Sequence, residues 1–198
     1  MDYFEKMYRG QGYQRVAGVD EAGRGPLAGP VVAAAVILPE EGIGQKLFDS
    51  KQIPSKKREA LYEIILSKAL GVGIGTVCQE EIDLLNILQA TLKAMVQAVE
   101  SLPVSPDFIL IDGNQPLHFP VPQKPIRKGD RICNSIAAAS IVAKVTRDRL
   151  MFECHQKYPQ YNFAKHKGYG TAEHRKAIER FGVSELHRKT FRGVKEYL

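Results

Sequence analysis

Twice in this chain a short, mostly apolar run ends in a carboxylate: Gly18-Val19-Asp20, with Glu21 adjacent, and Ile109-Leu110-Ile111-Asp112. Such runs read as strands. An acid at the end of a buried strand is costly unless it is paired, hydrogen-bonded or bound to a metal. Two endings of this kind in a chain of 198 residues constrain fold and chemistry together.

The rest of the chain arranges itself around these runs. Residues 15–20 predict a first strand and the β-branched, small-residue run 31–38 a second, joined by the Gly/Pro-rich turn 23–30 as a hairpin-like pair. Residues 71–78 alternate Gly with Val, Ile or Thr and predict a third strand, whose missing side chains permit close backbone approach. Residues 108–112 form the fourth, and a short fifth is expected near 123–127. Helices alternate with them. Pro54 and Ser55 open one that Gly71 closes, apolar positions from Ile82 to Val99 mark a longer second, and residues 132–154 predict a third whose small-residue half, IAAASIVAKV, suits tight packing on a sheet. Residues 171–181 predict a fourth. Alternation of this kind is α/β, with an antiparallel start. No repeat or linker divides the chain, so one domain over 1–198 is expected, with its core at about 14–190.

Charge is unevenly spread. The net charge is +6, yet residues 124–198 carry 17 Lys and Arg against 7 Asp and Glu, while residues 1–123 carry 11 against 15. A local basic face favours a polyanionic partner through counterion release. Three cysteines without a CxxC pair argue against a disulfide framework or zinc ribbon and favour a reducing cytoplasm. The N-terminal stretch lacks a signal peptide's apolar core, and the longest apolar run, 31–38, is far shorter than a membrane span. No membrane partner is expected. A monomer is, because no heptad stretch occurs.

Asp130, in Lys128-Gly129-Asp130 ahead of the small-residue helix, either caps that helix or joins the other acids. Three or four clustered carboxylates repel one another unless divalent cations neutralise them, and oxygen-only ligands suit Mg²⁺ or Mn²⁺. Two such ions would hold the attacking water and leaving oxygen of a phosphodiester in line. Adjacent residues on a regular strand point to opposite faces, so Asp20 and Glu21 share a site only if the chain bends there, and the following Ala-Gly-Arg-Gly-Pro is expected to supply the bend. Gly23-Arg24-Gly25 matches neither GxGxxG nor a P-loop; it is a plain turn or a phosphate-facing loop in which Arg24 supplies charge-assisted bonds. His118, His155, His166, His174 and His187 fit no zinc spacing and read as surface or phosphate-adjacent residues. Tyr3, Tyr8 and Tyr13 are expected to pack on the domain edge rather than stack on bases.

Taken in order, Asp20-Glu21-Ala22-Gly23-Arg24-Gly25-Pro26 with Gly29-Pro30, Asp49-Ser50-Lys51, Ile111-Asp112-Gly113, Gly129-Asp130 with SIAAASI (135–141), Ala143-Lys144-Val145 and Arg147-Asp148, and Lys167-Gly168-Tyr169-Gly170-Thr171 resemble bacterial ribonuclease HII. The blocks span about residues 14–190 and are jointly specific. The resemblance implies an RNase H-like fold, a mixed five-stranded sheet flanked by helices with a helical C-terminal part. It implies endonucleolytic hydrolysis of RNA in RNA–DNA hybrids and of single ribonucleotides embedded in duplex DNA. It also makes Asp20, Glu21, Asp112 and Asp130 the catalytic, metal-binding group. Gly23, Arg24 and Gly25 would read the ribose 2′-OH and nearby phosphate, the one local feature that separates RNA from DNA. Tyr169 would pack on the following deoxyribose, and Ser50, Lys51 and Lys144 would contact phosphates. The competing reading is a non-catalytic basic nucleic-acid-binding protein that keeps its acids as structural caps; metal dependence discriminates the two.

Overall fold

The computed structural model describes residues 2–45, 47 and 53–198. In chain order the elements are α1 (Tyr3–Arg9), β1 (Val16–Ala22), β2 (Val31–Ile37), α2 (Ser55–Lys68), β3 (Gly71–Val77), α3 (Gln79–Leu85), α4 (Ile87–Glu100), β4 (Phe108–Asp112), β5 (Gln123–Ile126), α5 (Asn134–Lys157), α6 (Phe163–His166) and α7 (Ala172–Phe181). Short 3-10 turns lie at Gly129–Arg131, Pro159–Tyr161 and Lys195–Tyr197. The sheet order is β3-β2-β1-β4-β5. β2 runs antiparallel to both β1 and β3, and β4 runs parallel to both β1 and β5, so the sheet is mixed and five-stranded.

Side-chain alternation sorts the two faces. Ala34 and Val36 of β2 pack with α2 and α5, whereas Val31, Ala33 and Ala35 join Val19, Ile109 and Ile111 against α4. Glycine sets the closest approaches. A Cβ at Gly18 would overlap the backbone of Ser135 and Ile136 in α5, and one at Gly73 or Gly75 would overlap α4 carbonyls. The small residues Ala137, Ala138 and Ala139 let α5 lie on β1 and β2 with all three fully buried.

The helix expected across residues 82–99 is two helices. Asn86 adopts φ 69°, which ends α3, and its side-chain oxygen accepts from the Leu88 and Gln89 N–H groups to cap α4. The N-terminal stretch holds helix α1, which carries Tyr8 and, beyond it, Tyr13 onto Phe108 at ring-centroid distances of 3.7 and 4.8 Å. These two tyrosines pack on the domain edge as expected, while Tyr3 stays largely exposed. Among the described residues no helix is long and apolar enough to cross a membrane.

Candidate active site

The register of the parallel pair β1–β4 brings the acids together. Gly18 pairs with Leu110 and Val19 with Ile111, so Asp20, near the end of β1, and Asp112, the last residue of β4, come one step further along on the same face. Asp20 is buried under α5, where the Ser140 hydroxyl hydrogen-bonds to it. Burial first, then repulsion from Glu21 and Asp112, raises Asp20 well above the ordinary carboxylate range. Glu21 is also raised by burial, with Asp112 adding to the rise and Arg24 opposing it through an ion pair at 3.3 Å.

β1 stays paired with β2 through Ala22, so residues 20–21 are themselves regular strand and the chain turns just beyond them, at Gly23-Arg24-Gly25. The Asp20 side chain curls along the strand, its Oδ1 accepting from the Glu21 N–H at 2.7 Å. Two carboxylates on opposite faces thus approach one another at the strand end.

At the start of α5 the free N–H of Ser135 is taken by Glu5 of α1, whose Oε1 accepts from the Ser135 N–H at 2.8 Å and from the Ser135 hydroxyl at 2.7 Å. Asp130 is buried in the Gly129–Arg131 turn, and the neighbouring Gly129 N–H donates to Asp112 Oδ1 at 2.7 Å. The turn therefore docks on Asp112 and carries Asp130 to the same end of the sheet.

Two clefts meet at Glu21 and Arg24. One, of about 180 Å³, is lined by Gly23, Gly25, Ser140, Lys144 and Tyr169; the other, of about 260 Å³, runs past Asp112 and Gly113 to α4. Lys144 pairs with Asp148 at 2.6 Å, and Asp148 also meets Arg58 at 3.5 Å. Burial lowers the Lys144 ammonium, against the pull of Asp148. Ser50 and Lys51 lie outside the described residues.

The loop between β1 and β2 is fastened by two buried arginines that sequence reasoning passed over. Arg188 donates to the carbonyls of Gly23 at 2.6 Å, Arg24 at 3.0 Å and Gly29 at 2.9 Å. Arg147 donates to Pro30 at 2.9 Å, Lys167 at 3.0 Å and Ala28 at 3.2 Å. Gly23 and Gly29 take φ 99° and 83°, and a Cβ on either would run into Arg147 or Met151. A Cβ on Gly25 would stand 3.7 Å from the Tyr169 ring, so loop and ring face each other across a narrow gap.

The histidines correct the surface reading. His166, His174 and His187 are buried, and only His118 is fully on the surface. Ser140 was likewise missed, hidden inside a run of small core residues.

The donor set fits a hard divalent cation. It is oxygen-only, it stands at a cleft mouth, and the negative charge of Glu21 and Asp112 beside the buried Asp20 favours a positive ion there. Among the described residues no three of these side chains converge into a ready-made metal shell.

A mixed sheet in this strand order, with acids gathered at the ends of β1 and β4, defines an RNase H-like nuclease. A family model described as Ribonuclease HII matches residues 17–194. The chain is 54% identical over 192 residues to the ribonuclease HII of Syntrophus aciditrophicus, covering 97% of this chain and 91% of that protein. It is 56% identical over 196 residues to that of Geotalea daltonii, covering 98% and 90%. The crystal structure of the ribonuclease H2 from Pyrococcus horikoshii OT3 superposes with a TM-score of 0.78 at 28% identity, over 92% of this chain and 96% of that one. The chain belongs to the ribonuclease HII family. It is an endonuclease of the RNase H type, and the non-catalytic alternative is set aside.

Proposed function

We propose that the chain hydrolyses the RNA strand of RNA–DNA hybrids and also cuts duplex DNA on the 5′ side of a single embedded ribonucleotide, leaving 5′-phosphate and 3′-hydroxyl ends. The observation that carries this reading is the junction of the two clefts at Glu21 and Arg24, where the acid cluster abuts the loop–tyrosine gap. Asp20, Glu21, Asp112 and Asp130 would hold the Mg²⁺ or Mn²⁺. When bound, such cations supply the positive charge that an in-line displacement at phosphorus needs on its attacking and departing oxygens.

The remaining steps belong to the chain. Arg188 and Arg147 occupy carbonyls of the loop from behind, which leaves the opposite edge of Gly23-Arg24-Gly25 to meet the ribose 2′-OH and its phosphate. Arg24 answers both Glu21 and phosphate charge, and Lys144 at the cleft wall adds a second cationic contact. Tyr169 presents its ring to the sugar that follows the ribonucleotide; a ring face against a deoxyribose is favourable, and an extra hydroxyl there crowds it. The substrates are RNA–DNA hybrid and ribonucleotide-containing DNA duplex.

The test is cleavage of a labelled duplex with one ribonucleotide, beside an all-DNA duplex, each with Mg²⁺, with Mn²⁺ and with chelator. One metal-dependent cut 5′ to the ribonucleotide, and none in the all-DNA duplex, is the expected result. Equal cutting of both duplexes, or cutting that survives the chelator, would refute the proposal.

A further inference from the structure

Three imidazoles are packed together beside the segment that carries Tyr169. His166 and His174 stack at a centroid distance of 4.5 Å and His174 meets His187 at 5.2 Å, with Phe163 and Tyr161 closing the cluster. Backbone donors fix where their protons are. The Ser184 N–H donates to His187 Nδ1 at 3.0 Å, so the neutral ring carries its proton on Nε2. That nitrogen lies 3.1 Å from His174 Nε2, which must accept. His174 therefore has its proton on Nδ1, 3.0 Å from the Tyr169 carbonyl oxygen, to which it donates. The result is a one-directional chain of hydrogen bonds from Ser184 through His187 and His174 to Tyr169. Burial holds His174 and His187 down to about 4, so this single neutral arrangement persists at neutral pH.

The same short segment also grips the Gly-rich loop. His187 forms an antiparallel bridge with Ala28, the Gly29 N–H donates to the Leu186 carbonyl at 2.8 Å, and the Arg188 N–H donates to the Leu27 carbonyl at 2.8 Å. Leu27 in turn donates its N–H to the Gly168 carbonyl at 2.8 Å, next to Tyr169. Residues 184–188 thus hold the loop with one hand, through Arg188, and Tyr169 with the other, through the two histidines.

We infer that His174 and His187 are positioning residues that set Tyr169 against the Gly23–Gly25 loop, and so determine selectivity for a ribonucleotide followed by deoxyribose. The inference rests on the proposed roles of Tyr169 and the loop in reading the substrate. His187 donates to His174, His174 donates to the Tyr169 backbone, and the ring is thereby held at the distance the Gly25 gap requires. Neither histidine touches the reacting phosphate.

The test compares kcat/KM on a duplex with one ribonucleotide and on a continuous RNA–DNA hybrid. His174→Leu and His187→Leu are expected to lower the ratio of the two about tenfold, the size of one lost buried hydrogen bond. His174→Asn keeps a donor near Nδ1 and restores most of the ratio. In a Tyr169→Ala background, His174→Leu has no further effect on the ratio, because the backbone hydrogen bond that it removes then has no ring to position. Equal losses on both substrates, or an undiminished His174→Leu effect without the Tyr169 ring, would overturn the inference and leave the histidines a general structural role. A Tyr169→Ala ratio equal to wild type would instead overturn the recognition reading, and this inference with it. Nitrogen NMR of the unmutated protein gives a second check that no folding defect obscures: protons on His187 Nε2 and His174 Nδ1 support the relay, and the opposite tautomers refute it.

Discussion

Towards the ends of β1 and β4, burial first and then Glu21 and Asp112 raise the cost of ionising Asp20, and burial, with Asp112 adding to it, raises that of Glu21. A few residues on, the loop from Gly23 to Pro30 has the carbonyls of Gly23, Arg24, Ala28, Gly29 and Pro30 taken by two buried guanidiniums, and the backbone of the tyrosine it faces is tethered through two buried imidazoles. The acid end is electrostatically unsatisfied. The loop side is satisfied almost to excess. A cation arriving at the first gains free energy by relieving repulsion already present, whereas a sugar arriving at the second meets groups that do not need to reorganise. Affinity for metal is stored as strain between charges, and selectivity as rigidity.

The largest effect that tests this contrast is at Asp20. Asp20→Asn keeps the shape and the acceptor for the Glu21 N–H but removes the buried charge. Loss of a ligand carboxylate should lower turnover about 10³-fold, several kcal/mol of transition-state stabilisation. The same change should raise the melting temperature of the metal-free protein at neutral pH by about 2–4 °C, roughly 1 kcal/mol. A lower melting temperature would show that the Ser140 and Glu21 hydrogen bonds outweigh the repulsion, and the contrast would fail. Next in size is Arg188→Met, which keeps side-chain bulk but leaves the Gly23, Arg24 and Gly29 carbonyls without their donor. A loss of about 3 kcal/mol is expected, read as a drop of roughly 6–12 °C in a thermal melt. Arg188→Lys should recover little, since one ammonium cannot span three carbonyls. A neutral Arg188→Met would mean the loop holds itself, and the rigidity is then not built by the arginines.

These two halves also differ in how openly the sequence declares them. The acids were legible because each follows an apolar run, and position along a strand decides which acids meet; Asp20 and Asp112 are 92 residues apart in sequence and adjacent through the β1–β4 register. The strands were legible for the same reason, with Gly and Pro marking their ends. Arg147, Arg188, His174 and His187 carried no such signal. A Lys/Arg/His-rich stretch reads as solvated surface, yet the arginines find the carbonyls of a loop more than a hundred residues away and the histidines find one another beside Phe163 and Tyr161. Nor did the 82–99 pattern reveal its break, because Asn86 interrupts the helix by its backbone conformation while the apolar spacing continues past it. Nor does anything near Glu5 in the sequence show that it reaches the start of α5, 130 residues further on, to accept from the Ser135 N–H.

The smallest effect sharpens the contrast through pH. His174 and His187 titrate near 6.5 when unfolded but are held to about 4 in the fold. The unfolded chain therefore takes up protons first as pH falls. Their contribution is present in full above pH 6.5 and is lost progressively towards pH 4, on the order of 2 kcal/mol for each histidine by pH 5. Asp20 responds with the opposite sign: its folded value is raised, so the cost of ionising it is felt at neutral pH and fades in acid. Urea midpoints at pH 8, 6.5 and 5 separate the two. Asp20→Asn should be more stable than wild type at pH 8 by a margin that narrows at pH 5, because protonation of Asp20 in the wild type does what the substitution does. The variant's own decline with acid should be the steeper, since the histidines then act without the compensating acid. A margin that is constant across this range would mean Asp20 is not ionised at a cost in the fold. A flat profile for the variant would mean the imidazoles are not held neutral, and the rigid half of the site would lose its physical basis.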